Sequence, residues 1–271
     1  MNRSTYCKYA NRQPSHRAQE NQQLKQKILE IYAKTEKRLG SRKMKLYLAQ
    51  EHCIFISEGR VYRLMKEMNL PKMSTIKPPK PKSAAEEAGI CTNLLAQQFN
   101  QPAPNLVWVC DFTYVRVGTR FCYLCVILDL YARKVIACRV GQQIDRFLAI
   151  HTLRDAVRYR GVSQGVMFHT DRGSQFTSAD FRKELDSFHM IQSFFAKGHP
   201  YDNAVMECFF KYLKKEELNR RYFRSVEQLK QSLVSYIVGF YNSVRPHSHN
   251  HGLSPNQMEK HYFANFTCPL Y

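Results

Sequence analysis

Three carboxylates stand in contexts where an acidic side chain needs a partner. Asp111 lies inside the apolar run 107–115, Asp171 follows a short apolar stretch, and Glu207 lies in a segment rich in Met and Phe. Burying an ionised carboxylate is costly unless a cation neutralises it. Divalent cations such as Mg²⁺ prefer oxygen ligands, and two such ions promote in-line displacement at a phosphodiester. Taken singly, each carboxylate also has an ordinary explanation, as a turn cap or a solvated side chain.

Hydrophobic patterning assigns these carboxylates to elements of regular structure. Runs at 107–115, 121–130 and 134–140 predict three strands joined by tight turns, and 165–169 predicts a fourth. Apolar residues at helical spacing predict helices over 145–158, 178–187, 202–219 and 226–242. Three strands followed by alternating helices and strands predict an α/β domain. Asp171 then lies at a strand end, which is where open α/β sheets bind ligands.

The positive charge of the chain predicts a polyanionic partner, nucleic acid before anionic membrane. The net charge is +19, and residues 1–82 hold 19 Lys and Arg against 6 Glu, a net of +13. Groups that bind phosphate are therefore expected near the N-terminus. The alternative is a protein that is merely basic. The sequence has no membrane-length apolar run and no signal-peptide core, which predicts a cytosolic protein.

Three short helices are predicted before residue 70, at 20–40, at 42–52 and after Ser57, which offers an N-cap. The third helix ends at 69–71 and carries three basic residues: Arg60, Arg63 and Lys66. This pattern is typical of a helix-turn-helix whose last helix contacts DNA. The alternative is an ordinary three-helix bundle with a solvated basic face. The Pro- and Lys-rich stretch 71–88 has a composition that favours an extended linker.

The spacing of the acidic residues adds a resemblance, because 35 residues separate Asp171 from Glu207. Together with its motifs, the chain resembles the DDE transposases and integrases, and most closely the catalytic protein of the insertion-sequence-three family. The resemblance covers nearly the whole chain and rests on the segments 4–6, 108–114, 128–133, 169–176, 201–204, 241–242, 245–247 and 253–255. Two departures are Cys110, where Thr is more usual, and the segment 196–200.

The resemblance implies a ribonuclease-H-like catalytic domain, with a mixed sheet whose first three strands are antiparallel and with flanking helices. A small all-α helix-turn-helix module would precede it. The implied organisation is a DNA-binding module, a linker, a catalytic core and a C-terminal helix with tail, at 1–70, 71–100, 101–222 and 223–271. Asp111, Asp171 and Glu207 would be the catalytic residues and the ligands of two Mg²⁺ or Mn²⁺ ions.

The resemblance also implies the reaction and the partners. Water would attack the phosphodiester at the end of an insertion sequence, and the freed 3′-hydroxyl would attack a second strand. The partners would be double-stranded DNA, as element ends and target, and further copies of this chain assembled on that DNA. A product of an upstream overlapping reading frame would be another partner.

Neighbouring polar residues have predicted supporting roles. Asn203, Glu207, Lys211 and Lys214 share one helix face, so we expect Asn203 and both lysines to contact DNA. An ordinary Glu–Lys pair is the alternative. Arg172 follows Asp171 on a loop and is also expected to position DNA. His169 is expected to orient Asp171 or to contact the scissile phosphate, with a hydrogen-bonded core histidine as the alternative.

Other groups that resemble metal ligands have simpler interpretations. The three histidines at 247, 249 and 251 lack a Cys or carboxylate partner at useful spacing, which favours a surface or DNA-proximal position over a metal site. Cys122 and Cys125 lie in an apolar run and are expected in a buried strand. Asp129 is interpreted as a turn residue.

Two classes of function remain open from the sequence. The first is a DDE transposase that cleaves and joins DNA with divalent metal ions. The second is a DNA-binding regulator whose integrase-like domain is inert. A ribonuclease H would share the fold but would not need a basic module of about 80 residues.

Overall fold

The computed structural model describes residues 15–70, 92–162, 164–195 and 200–267. The chain forms two compact units, which divide after Met73. The sequence motif at 4–6, the Pro- and Lys-rich stretch and residues 196–199 lie outside the described residues. None of the described helices is both long enough and apolar enough to cross a membrane.

The first unit contains three helices, as predicted: α1 His16–Lys34, α2 Ser41–His52 and α3 Glu58–Glu67. The predicted cap of α3 is confirmed, because the Ser57 side chain accepts a hydrogen bond from Arg60 N at 3.2 Å. Helix α1 ends earlier than predicted, since Glu36 and Lys37 adopt left-handed backbone angles. Apolar residues from all three helices form one small core, including Ile28, Ile31, Met44, Leu48, Val61 and Leu64.

The second unit is built on a five-stranded sheet. Its strands are β1 Val107–Val117, β2 Arg120–Asp129, β3 Lys134–Gly141, β4 Met167–Thr170 and β5 Ile191–Phe194. The spatial order is β3-β2-β1-β4-β5, with β1, β2 and β3 antiparallel and β1, β4 and β5 parallel. This mixed sheet confirms the predicted ribonuclease-H-like fold. Strand β5 was not predicted, because its four residues include Gln192 and Ser193 and are too few to show a pattern.

Helices surround this sheet. They are α4 Arg146–Arg160, α5 Ser174–Thr177, α6 Ala179–Ser187, α7 Ala204–Glu216, α8 Val226–Val234 and α9 Pro255–Thr267. The predicted helix 226–242 is interrupted, because a π-helix takes over at Ser235–Tyr241. Short 3₁₀ turns at Pro200–Asn203 and Leu218–Arg220 flank α7, which is therefore shorter than predicted. Helix α9 was not predicted, since polar residues dilute its apolar pattern.

The main core lies between the sheet and helices α4 to α6. Trp108 and Phe168 from adjacent strands pack there with Phe176 and Phe181, and all four are fully buried. Cys110 belongs to the same core, where its Sγ lies 3.6 Å from Cys125 Sγ. Cys122 and Cys125 are both buried in β2, as predicted.

Buried ion pairs attach the C-terminal segment to the sheet and to α7. Glu216 accepts hydrogen bonds from Arg245 Nε at 2.7 Å and from Tyr236 Oη at 2.8 Å. In a second cluster, Glu259 pairs with both Lys134 and Arg160. The described residues 224–267 therefore pack as part of the second unit.

Asp129 and two of the C-terminal histidines contribute to this packing. Asp129 forms the predicted turn, since its Oδ1 accepts from Tyr131 N at 2.9 Å, but it is also fully buried and paired with Arg160. The prediction of a surface position is wrong for His247, which is buried with its ring edge-on to Tyr241. His249 is half-buried and contacts the Tyr131 carbonyl oxygen at 3.0 Å. These rings fill packing positions that spacing alone could not reveal.

Candidate functional site

The first two carboxylates lie on neighbouring parallel strands. Val109 of β1 pairs with His169 of β4. Asp111 lies two residues further along β1, and Asp171 lies two residues after His169, just beyond the end of β4. Asp111 is thus held by a central strand and Asp171 by the loop directly after β4. The register therefore brings the two predicted residues to the same place in the sheet.

Asp111 is half-buried and held by two hydrogen bonds. Phe112 N donates to Oδ1 and Asn203 Nδ2 donates to Oδ2, each at 2.7 Å. Burial raises the pKa of Asp111 to about 7; the Asn203 hydrogen bond lowers it, while the charges of Asp171 and Glu207 raise it. Asp111 therefore interacts electrostatically with both Asp171 and Glu207, although they are far apart in sequence.

Asp171 is oriented by its own loop. Gly173 N donates to Asp171 Oδ1 at 3.0 Å, and burial raises the pKa of this carboxyl above its ordinary value. Asp171 thus has a fixed direction but, like Asp111, an environment that penalises its ionised form.

Glu207 lies in the first turn of α7, and its side chain is exposed. The apolar residues around Glu207 predict that its side chain faces inward. That prediction is wrong, because Met206, Phe209, Phe210 and Leu213 supply the buried face of this helix. Glu207 lies on a different face, on the side of the helix that also carries Asn203. Its charge nevertheless acts on Asp111, so it borders the same site.

No described Lys or Arg forms an ion pair with Asp111, Asp171 or Glu207. In the described ranges, no three His, Cys, Asp or Glu side chains are close enough together to form a complete metal centre. Asn203 Oδ1 is buried beside Asp111 without a hydrogen-bond partner. Unpaired carboxylates beside an unsatisfied amide oxygen fit a hard divalent cation, whose preferred ligands are oxygens.

The two lysines of α7 differ in environment. Lys211 is exposed, whereas Lys214 is half-buried with its Nζ 4.7 Å from the centre of the Tyr114 ring. Burial lowers the pKa of Lys214, and the nearby charge of Asp111 partly opposes this. Lys214 therefore lies beside the carboxylates, while Lys211 extends the same face towards solvent.

His169 is a buried histidine of β4, two residues before Asp171. Its Nδ1 lies 2.8 Å from Ser193 Oγ, and its ring packs edge-on against Phe195. Burial lowers its pKa to about 4, so the ring is neutral at pH 7. These contacts match the alternative of a hydrogen-bonded core histidine. The sequence predicted that His169 orients Asp171, whereas the hydrogen bond to Ser193 attaches it to β5.

The structure also adds a residue that sequence reasoning missed. Asp202, next to Asn203, is buried, and its carboxylate accepts hydrogen bonds from Asn93 Nδ2 and Gln97 Nε2, both at 2.8 Å. More than 100 residues separate the donors from the acceptor, so no local pattern could have predicted this contact. Its position between Tyr201 and Asn203 in a recognised motif was the available signal.

The predicted DNA-contacting residues outside α7 differ in their exposure and in their contacts within the protein. Arg60 is half-buried within its own unit, where it forms an ion pair with Glu20 at 2.8 Å and a hydrogen bond to Asn21. Arg63 and Lys66 are exposed on the same helix. Arg172 is exposed, and its Nε donates to the Phe195 carbonyl oxygen at 3.1 Å.

Family profiles match most of the chain. An integrase core domain matches residues 101–200, a second integrase core profile matches 189–255, and an HTH-like domain matches 19–78. Among solved structures, a chain of a simian T-cell lymphotropic virus intasome aligns with a TM-score of 0.47 at 14% identity, covering 86% of this chain and 74% of that one. The HTLV-2 integrase catalytic core aligns with a TM-score of 0.44 at 18% identity, covering 58% and 98%.

Sequence relatives are proteins of bacterial insertion sequences. The insertion element IS600 31 kDa protein of Shigella sonnei is 32% identical over 97% of this chain and 96% of its own length. The transposase for insertion sequence element IS904 of Lactococcus lactis is 31% identical, covering 92% and 98%. The transposase InsF for IS3A of Escherichia coli K12 is 38% identical, covering 65% and 61%. The chain therefore belongs to the transposases of the insertion-sequence-three (IS3) family.

Proposed function

We propose that this transposase cleaves and joins DNA through Asp111, Asp171 and Glu207, acting as ligands of two Mg²⁺ or Mn²⁺ ions. The observation that carries the proposal is that Asp111 interacts with both Asp171 and Glu207, and that no described Lys or Arg forms an ion pair with any of the three carboxylates. Bound divalent ions would activate the attacking oxygen and stabilise the leaving oxygen of the phosphodiester. The protein's part would be to bring these three oxygen ligands together from β1, from the loop after β4 and from the first turn of α7.

The contacts of each ligand indicate its role. Asp111 and Asp171 are fixed by hydrogen bonds, so they provide the rigid part of the site. Glu207 is exposed, so it would contact the metal ions from the solvent side of the site, where the DNA would also bind. Water would attack the strand at the element end first, and the freed 3′-hydroxyl would then attack the target strand.

Basic residues at two places would bind the DNA. Lys211 and Lys214 extend from the carboxylates along α7, and Arg172 lies on the loop beside Asp171. Arg63 and Lys66 would contact DNA from the helix-turn-helix module. Arg60 and Asn203 make contacts inside the protein, so their proposed roles are to hold α1 and Asp111 in place.

The assembly proposed for the reaction is several copies of this chain on paired element ends. The product of an upstream overlapping reading frame is a further proposed partner, which would add DNA recognition to the first unit.

The test uses purified full-length protein, a duplex carrying the element end, and Mg²⁺ or Mn²⁺. We expect metal-dependent cleavage and strand transfer that disappear in Asp171→Asn. The matched control is Asp186→Asn, which makes the same change at an exposed position on α6 and should retain activity. Sequence-specific binding without cleavage at any metal concentration would instead identify a regulator with an inert catalytic domain.

A further inference from the structure

The segment 92–98 leads from the linker into β1 and is attached to the catalytic unit. Phe194 N donates to the Thr92 carbonyl oxygen at 3.0 Å, which extends the hydrogen bonding of β5. Leu94 N donates to Ser193 Oγ at 3.0 Å, and Leu95 is 2% exposed. We call residues 92–98 the brace. The sequence assigned them to a linker, but these contacts are those of a packed element.

The brace forms hydrogen bonds with Asp202, the residue that precedes Asn203. Asn93 and Gln97 each donate a side-chain hydrogen bond to a different carboxylate oxygen of Asp202. Asn203, the next residue, donates to Asp111 and directly precedes α7. The brace is thus linked to Asp111 by hydrogen bonds to Asp202, by the backbone from Asp202 to Asn203, and by the hydrogen bond from Asn203 to Asp111.

The backbone of the brace is bent to make these contacts. Ala96 and Gln97 have φ values of 45° and 61°, a left-handed conformation that non-glycine residues rarely adopt. Asn93 Oδ1 accepts from Ala96 N at 2.9 Å, which stabilises the bend. Such strain persists only where surrounding contacts enforce it, and it is frequent near functional sites.

We propose that the brace is a positioning element for the catalytic centre. By holding Asp202, it fixes Asn203 against Asp111 and sets the start of α7, and with it the position of Glu207. Asn93, Gln97 and Asp202 act through Asn203, so they are positioning residues that touch neither metal nor DNA. The inference rests on the proposed function of the three carboxylates as metal ligands.

The test exploits the exposed side chain of Gln97. In Gln97→Glu a carboxylate faces Asp202, so the contact becomes repulsive. Adding Asp202→Asn restores a donor–acceptor pair, because the amide introduced at 202 can donate to the carboxylate introduced at 97 while its oxygen still accepts from Asn93. Gln98→Glu is the matched control, since it places the same charge on the adjacent exposed residue.

The first readout is the Mn²⁺ dissociation constant of the full-length protein, measured by calorimetry without DNA. We expect Gln97→Glu to weaken binding by roughly tenfold, in the range seen when residues behind metal ligands are changed. The dissociation constant of the double variant should return to within about threefold of the wild-type value. That of Gln98→Glu should equal the wild-type value. Equal weakening in Gln97→Glu and Gln98→Glu, or no recovery in the double variant, would overturn the inference.

A second readout separates the brace from the proposed function. Hydrogen exchange of amides 204–208 should be faster in Gln97→Glu than in Gln98→Glu and should recover in the double variant. If the wild type binds no Mn²⁺, the proposed function fails, and this exchange pattern still decides whether the brace positions α7. Identical exchange in all the variants would overturn the brace.

Discussion

Helix α7 carries two glutamates nine residues apart that have opposite environments. Glu216 is 1% exposed, and Arg245 and Tyr236 hydrogen-bond to its carboxylate. Glu207 is exposed and belongs to a group that no described Lys or Arg pairs with. The same division runs through the whole catalytic unit. Asp129, Glu216 and Glu259 form a paired set, whereas Asp111, Asp171 and Glu207 form an open set.

The difference separates charges that hold the fold together from charges that the proposed function would use. Removing one partner of a buried ion pair is strongly destabilising, so the paired set ties the C-terminal segment to the sheet. Burial raises the pKa of Asp111 and of Asp171, and the charges of Asp171 and Glu207 add to the rise at Asp111, which is a cost that a fold tolerates at a functional site. An added divalent cation would remove this cost only from the open set.

The largest expected effect on stability is in the paired set. Arg245→Met leaves Glu216 buried without its main cation and should lower the free energy of unfolding by about 3–5 kcal/mol. Urea denaturation measures this effect. Arg224→Met is the control, because Arg224 is exposed and its loss should change stability by no more than about 0.5 kcal/mol. Similar stabilities of the two variants would break the comparison.

Removing a charge from the open set should stabilise the metal-free protein, whereas removing one from the paired set destabilises it. The pKa of Asp111 is about 7 in the folded protein and near 3.8 ordinarily, so the folded state binds this proton more tightly. Without metal, the contribution of Asp111 to stability therefore falls as pH rises from about 4 to 7 and is constant above that. Asp111→Asn should remove this slope and stabilise the metal-free protein at pH 8 by roughly 1–4 kcal/mol.

Denaturation at several pH values measures this prediction. Asp186→Asn is the control, because Asp186 is exposed on α6 and should leave the pH dependence unchanged. A loss of stability at pH 8 in Asp111→Asn would mean that the carboxylate is already compensated, and the open set would then not be distinct.

The smallest expected effect is on DNA binding by the exposed face of α7. Lys211→Ala should weaken DNA binding and reduce the salt slope of log K by about 1, as for the loss of one phosphate contact. Lys183→Ala on α6 is the control, since it removes an equally exposed lysine from a different helix. An unchanged salt slope in Lys211→Ala would mean that Lys211 makes no phosphate contact and that DNA does not follow this face of α7 away from the open set.

Local pattern was sufficient for much of the catalytic unit. The strands β1 to β4 and the cap of α3 follow from alternation, apolar runs and Ser57 at the start of a helix. The placement of Asp111 and Asp171 on neighbouring strands follows from the register of β1 against β4, in which Val109 pairs with His169.

Long-range contacts were the part that the sequence could not supply. Glu207 and Glu216 lie in one apolar helix, and the buried one is recognised by its contacts with Tyr236 and Arg245, which lie 20 and 29 residues further along the chain. The brace was hidden in the same way, because Gln97 and Asp202 are 105 residues apart. His247 looked like a surface residue until its contact with Tyr241 was known.

The central claim is that the open set is a cation site, and a Mn²⁺ titration of thermal stability at pH 8 tests it most directly. At about 100 times its dissociation constant, Mn²⁺ should stabilise the wild type by roughly 2.7 kcal/mol. The same addition should leave Asp111→Asn nearly unchanged. An equal Mn²⁺-induced rise in melting temperature for the wild type and Asp111→Asn would contradict the account.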